Sequence, residues 1–315
     1  MSFLITIGFL IGSTLMYSSP LILVAIGALF SEKSGIINIG LEGMMYFGCF
    51  SAAAVAVITG NPWLALVIAA LSGGVFGLLH GYACIMRNAN QVVSGIAINF
   101  LAPGLALYLS RLLFDGATMT PTIANKLPKL FTGIDSKTEF GELLNLIFSQ
   151  YVVVYLAFAV VIITIIIMNR TKLGLRIKAV GEHPIAAATV GINVLRIRFF
   201  SVFISGALAG IGGACFSLAI VSNFRQGLIS GQGYIALAAM IFGRWKPKST
   251  MFACLLFGFT KSLQIFIGGP SVPFEISVDI LSLLPYVVTI AVLVLFAKES
   301  AAPKAIGKPY NLDSR

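Results

Sequence analysis

The side chains able to do chemistry in this sequence are few, and most of them interrupt apolar runs. Asn38, Glu42, Gln91, Ser94 and Asn99 supply three amides, one carboxyl and one hydroxyl among long stretches of Ile, Leu, Ala and Gly. An ionised group at the centre of a membrane costs about 2.5–3.5 kcal/mol on insertion scales, so such residues mark a polar pathway or answer a neighbour. As pathway residues, amides and hydroxyls suit a neutral substrate rich in hydroxyl and ring-nitrogen groups. Two competing roles stay open: Glu42 at a helix N-terminus, where the dipole favours it, and Asn99 as a bridge between neighbouring helices. His80 reads as a packed histidine and Lys261 as a snorkelling lysine. Cys49, Cys84, Cys215 and Cys254 lie in apolar segments without metal-ligand spacing, as buried thiols do. No nucleophile–base pair or metal cluster stands out, so no catalytic or metal-binding residue is assigned. The phosphate-loop pattern G-x-x-x-x-G-K-[ST] is absent too, since Gly243–Thr250 lacks its glycines. No cofactor is expected in this chain, which has no phosphate loop of its own for ATP.

The elements that position these residues follow from composition. Hydrophobic residues are 58% of 315, charged residues 10%, and the mean hydropathy is +0.98. A soluble domain carries about a quarter charged residues, so most of this surface faces lipid. Backbone groups in lipid must be satisfied internally, by helices or by a closed barrel. Barrel strands alternate polar and apolar, whereas Val152–Met168 is solidly apolar. The expected fold is therefore all-α, a polytopic transmembrane helix bundle, read as one domain over residues 1–315. The net charge of +10 does not indicate nucleic acid, because the basic residues cluster between apolar runs in the positive-inside pattern. The N-terminus is apolar from Phe3 without a basic leader region, and is read as a retained membrane segment.

Expected spans are Gly43–Thr59, Trp63–Met86, Val92–Leu113, Tyr151–Met168, Phe199–Val221, Met251–Ile267 and Leu281–Ala297, with Tyr234–Phe242 as a short one. The first thirty residues form one long helix kinked at Pro20 or two short ones. Residues 169–198 carry six Lys and Arg against Glu182 alone, and are expected in the cytoplasm together with the turn at Arg244–Lys248 and the C-terminus. Residues 115–150 and the acidic stretch with Glu275 and Asp279 are expected outside. With Tyr234–Phe242 crossing, the tally is about ten transmembrane helices. Gly73, Gly77 and Gly81, and Gly206 with Gly210, recur at the small-residue spacing that lets helices approach closely. Two brief apolar runs, Pro20–Phe30 and Tyr234–Phe242, each lead through a charged turn into a long span. Such short or broken segments in matching positions suggest an inverted repeat beside a pathway.

The cytoplasmic loop holds the most informative stretch, Gly181-Glu182-His183-Pro184-Ile185-Ala186-Ala187-Ala188-Thr189-Val190-Gly191. Proline at a start and glycine past an end punctuate a short helix. With three alanines it is smooth enough to dock in a groove on a soluble partner, and it could push through Arg196 and Arg198 into the next span. The run Ala186-Ala187-x-x-x-Gly191 resembles the loop by which bacterial ABC importer permeases contact their ATPase. Ile185 stands at the usual leading glutamate position, with Glu182 three residues earlier, a departure found in the branched-chain amino acid and ribose permease superfamily. Glu32–Met44, Asn90–Gly95, Gly233–Gly243 and Ala302–Tyr310 resemble nucleoside and simple-sugar ABC permeases, of the purine-nucleoside type above all.

The resemblance implies a bacterial cytoplasmic-membrane permease that forms a nucleoside pathway and is not itself an enzyme. It implies three partners: a second permease completing a heterodimer, a cytoplasmic ABC ATPase and a substrate-binding lipoprotein. Glu182, Pro184, Ala186, Ala187 and Gly191 would contact the ATPase. The alternatives are a ribose or simple-sugar ABC permease and, from another class, an ion-coupled secondary transporter relying on Glu42 as its intramembrane carboxyl.

Overall fold

The computed structural model describes residues 3–134, 138–269 and 302–310, with isolated positions between 280 and 294. Their regular structure is helical: α1 (Phe3–Lys33), α2 (Leu41–Thr59), α3 (Pro62–Gly81), α4 (Gln91–Leu113), α5 (Glu139–Phe148), α6 (Val152–Arg170), α7 (Lys172–Glu182), α8 (Pro184–Thr189), α9 (Val194–Cys215), α10 (Gln232–Phe242) and α11 (Pro247–Ile267). A π-helical turn extends α3 to Met86 and another extends α9 to Ile220.

From Phe3 to Lys33 the chain forms one helix. Pro20 has no N–H for the carbonyl of Met16, but the Ser19 hydroxyl donates to that oxygen at 2.9 Å and supplies the missing bond. Beyond it, every residue from Leu21 to Phe30 is buried. A helix apolar all round belongs inside a bundle, and α1 does run through the middle, packed against α5, α6, α9, α10 and α11.

Seven helices among the described residues are long and apolar enough to span, including α1 and the extended α3 and α9. The expected tally of about ten is not reached. One reason is that α1 does not divide. Another is that the eleven residues of α10 rise only about 16 Å, against a hydrocarbon core of about 30 Å. The expected span Leu281–Ala297 and the acids Glu275 and Asp279 fall outside the described stretches. The polar connection 115–150 is also more ordered than its composition suggests. Its backbone donates to the segment after α9, from Thr120 N to Phe224 O at 3.0 Å and from Ile123 N to Ser222 O at 2.8 Å, burying Ile123 and Leu127. Within it, α5 lies along Gly8 and Gly12 of α1.

The glycine repeats meet each other. Gly73 and Gly77 of α3 face Gly206 and Gly210 of α9 so closely that a Cβ on Gly210 would strike the carbonyl of Ala69, and one on Gly206 the carbonyl of Gly73. Such close approach serves packing where lipid gives helices no hydrophobic reason to associate. Gly210→Val should destabilise the bundle by about 1–3 kcal/mol or more through overpacking, read as a lower melting temperature in detergent. Gly104→Ala, where nothing stands within 4 Å of the new carbon, should melt at or slightly above the wild-type temperature.

Candidate functional site

Between α1 and α2 the chain leaves helical geometry. Ser34 N and Ile36 N both donate to the carbonyl of Ser31, Gly35 takes φ +92°, and the next residues run to Gly40 without helical bonds. Buried backbone outside a helix must find its hydrogen-bond partners elsewhere in the protein, and the sequence-selected polar residues supply them. Gln91 Oε1 accepts from Ile37 N at 2.7 Å. Asn99 Nδ2 donates to Ile39 O at 3.0 Å, while its Oδ1 accepts from Gly43 N at 2.8 Å. His80, fully buried, lies 2.9 Å from Ile37 O through Nε2 and 3.0 Å from the Ser94 hydroxyl through Nδ1. A carbonyl only accepts, so Nε2 carries a proton, and in the neutral ring Nδ1 accepts from Ser94. The histidine that reads as mere packing from sequence is thus part of the brace, and its isolation on an apolar helix gives no sign of that.

Asn38, at the centre of the break, is fully buried. Its Nδ2 donates to Ser205 Oγ of α9 at 2.9 Å, and its Oδ1 has no hydrogen-bond partner among the described residues. Glu42 sits in the first turn of α2, but its carboxyl serves another helix. Oε1 accepts from Gly231 N at 2.7 Å and Oε2 from Gly233 N at 2.6 Å. These are the unpaired amides at the start of α10, where negative charge is favoured. Gly233 is required by this approach, since a Cβ there would meet the backbone and carboxyl of Glu42. Asn99 Nδ2 also donates to the Tyr234 hydroxyl at 2.8 Å, so it bridges α4, the break and α10. All five pathway candidates therefore converge on the break and the start of α10.

The far end of α10 is tied to the same region. After it the chain turns through Arg244 and Trp245, both with φ +53°, and Trp245 Nε1 donates to Glu32 Oε2 at 2.7 Å. Glu32 is 3% exposed. Sequence reading passed over Glu32 as part of a signature. The signal that could have found it is two acids ten residues apart, flanking a glycine-containing turn between apolar helices.

In the loop after α6, Pro184 opens α8 and Gly191 turns the chain at φ +83°, as the punctuation predicts. Ala186 and Gly191 face outward with Ile185 and Val190, which are 43% and 75% exposed. Pro184 is half-buried. Ala187 turns inward onto Val180, Val194 and Tyr310. Glu182 is exposed and accepts from Lys304 N at 3.4 Å. Arg196 is exposed, whereas Arg198 is buried and donates from Nε to Ser34 O at 3.3 Å.

Glu42→Gln keeps the shape but leaves an amide nitrogen that cannot accept from Gly231 or Gly233. Losing one charge-assisted bond costs about 1.5–3 kcal/mol, so exchange of the backbone amides at the start of α10 should accelerate at least tenfold or so. Hydrogen exchange of peptides covering residues 231–242 reads this directly, and unchanged rates would remove Glu42 as the cap.

Comparison with known proteins extends these features to the whole chain. The family model described as branched-chain amino acid transport system / permease component matches residues 10–294. The guanosine ABC transporter permease protein NupQ of Bacillus subtilis (strain 168) is 42% identical over 311 residues, 96% of each chain. The nucleoside ABC transporter permease protein NupC of Lactococcus lactis subsp. cremoris (strain MG1363) is 38% identical over 323 residues, 97% of each. A second permease protein of that strain, NupB, is 25% identical over 94% of this chain and 82% of its own length. With the match running through every helix from α1 to α11, this multi-pass membrane protein belongs to the permease component family of branched-chain amino acid transport systems.

Proposed function

We propose that the chain is a transmembrane subunit of an ATP-binding-cassette importer and forms, with a second permease, the pathway for nucleoside uptake. The observation that carries this reading is the near full-length similarity to proteins named as guanosine and nucleoside permeases. The occurrence of both NupB and NupC in one strain supports a pair of unlike permeases. A separate cytoplasmic ATPase binds and hydrolyses ATP, and a lipoprotein delivers substrate. This subunit performs no bond chemistry. It lies in the bacterial cytoplasmic membrane as one domain over residues 1–315, with residues 169–198 and the C-terminus in the cytoplasm.

On this reading α8 is the coupling helix, and its outward side, Ile185, Ala186, Val190 and Gly191, seats in the ATPase. Pro184 sets its start, while Glu182 and Ala187 fasten it to the rest of the chain. The frame of the pathway is the braced break: Asn38, Glu42, Gln91, Ser94 and Asn99 hold two discontinuous elements in register, as expected beside a transporter site. Glu42 bears on the rival reading of ion coupling. Both of its oxygens are held by amides of α10, so cycling a proton or sodium there would release that helix at every turnover.

Cells expressing the full system should take up radiolabelled guanosine, with uptake abolished by ATP depletion and retained under an uncoupler. Competition by nucleosides but not by ribose supports the substrate class, and the reverse assigns it to sugars. Gly191→Asp places a charge in the docking groove. It should lower uptake and ATPase co-purification at least tenfold, the effect of about 1.4 kcal/mol. Survival of both in this variant would remove α8 from the coupling role.

A further inference from the structure

The C-terminal segment 302–310 is bound at successive residues to three different parts of the molecule. Lys304 N donates to Glu182 Oε2 and Ala305 N to Gly181 O at 2.9 Å, both on α7 directly before the coupling helix. Gly307 N donates to Gly35 O at 3.1 Å, in the break between α1 and α2. Lys308 O accepts from Arg198 Nη1 at 3.3 Å, and Arg198 Nε reaches Ser34 O. Tyr310, 9% exposed, ends the run in one buried apolar cluster with Val180, Val194 and Ala187 of α8. Seven residues thus link the inner side of the coupling helix to the pathway break, and the buried guanidinium of α9 clamps strap and break together.

The clamp has the features of a moving joint. Both described partners of Arg198 are backbone carbonyls, and its Nη2 is buried without a hydrogen-bond partner among the described residues. A donor is therefore free for another carbonyl when the strap shifts. Beside the joint lies a pocket of about 370 Å³, lined by Ile37, Cys84, Asn90, Gln91, Gly307 and Pro309, which leaves the break room to move. Gly307 has φ +74° and faces Ile37, and Gly35 of the break faces the carbonyl of Ala305, so strap and break meet through glycines on both sides.

We propose that this C-terminal strap transmits displacement of the coupling helix to the pathway break, with Tyr310 as its grip on α8 and Arg198 as the positioning residue at the break. The inference rests on α8 being the ATPase-docking helix. It adds a route separate from the direct one through α9: movement of Ala187 draws Tyr310, the strap pulls Gly307 and Lys308, and the break follows.

The test uses the assembled complex with Ile37→Cys as reporter on a Cys84→Ser background, labelled with maleimide in the absence of nucleotide and in ATP with vanadate. Nucleotide should change the labelling rate by about fivefold or more, the lower range for coupling between sites. Tyr310→Ala should abolish that change while ATP hydrolysis and subunit assembly persist, and Tyr310→Phe should restore it. A nucleotide response that persists in Tyr310→Ala would overturn the strap, as would no response in the parent complex. Failure of the underlying reading looks different: the ATPase would not co-purify with the parent chain at all. Loss of ATP hydrolysis and assembly together in Tyr310→Ala and Tyr310→Phe would assign the strap a purely structural role and refute transmission.

Discussion

A buried backbone that leaves helical geometry needs its amides and carbonyls met by protein, and this constraint organises the molecule around residues 34–40. The break between α1 and α2 frees polar groups that no helix of its own satisfies. Gln91 and Asn99 come from α4, His80 from α3, and Ser31 closes the near end by donating to Ile36 O at 2.7 Å. An unmet buried group costs about 1–3 kcal/mol, so these side chains fix the register of α3 and α4 against the break more tightly than apolar contact would. The α4 residues stand within one stripe of that helix for this reason.

The same constraint explains α10. A helix of eleven residues cannot span, and both of its ends lie among other helices. Glu42 meets the amides at its start, and Glu32 meets the indole after its end. The two discontinuous elements are therefore fastened to each other at both ends by carboxyls that flank the break. Displacement of one would therefore carry the other.

Around this braced centre the remaining bundle is held by contact. Glycine backbones let α3 and α9 approach to van der Waals distance, and α1 is sealed on every side from Leu21 to Phe30. The rigid α9 carries Arg198 to the break, while the exposed α8 presents Ile185 and Val190 at the surface. The polar middle and the small apolar knob are thus joined through α9.

Much of this was legible in the residues alone. Apolar length located α2, α3, α4, α6, α9 and α11, since spanning takes about twenty apolar residues, but it counted the short α10 as a crossing too. Pro184 and Gly191 determined α8, because proline and positive-φ glycine restrict the backbone locally. The spacing of Gly73 and Gly77 and of Gly206 and Gly210 announced close helix packing. The partners were decided only by tertiary structure. Nothing near Glu42 in the chain points to Gly231, 189 residues away, and nothing near Arg198 points to Ser34 or Lys308. Whether Pro20 split α1 hung on one serine hydroxyl. Periodicity and composition report what a segment needs from its solvent. Which distant group answers a buried donor or acceptor depends on how the helices are brought together, and that exists only in the folded chain.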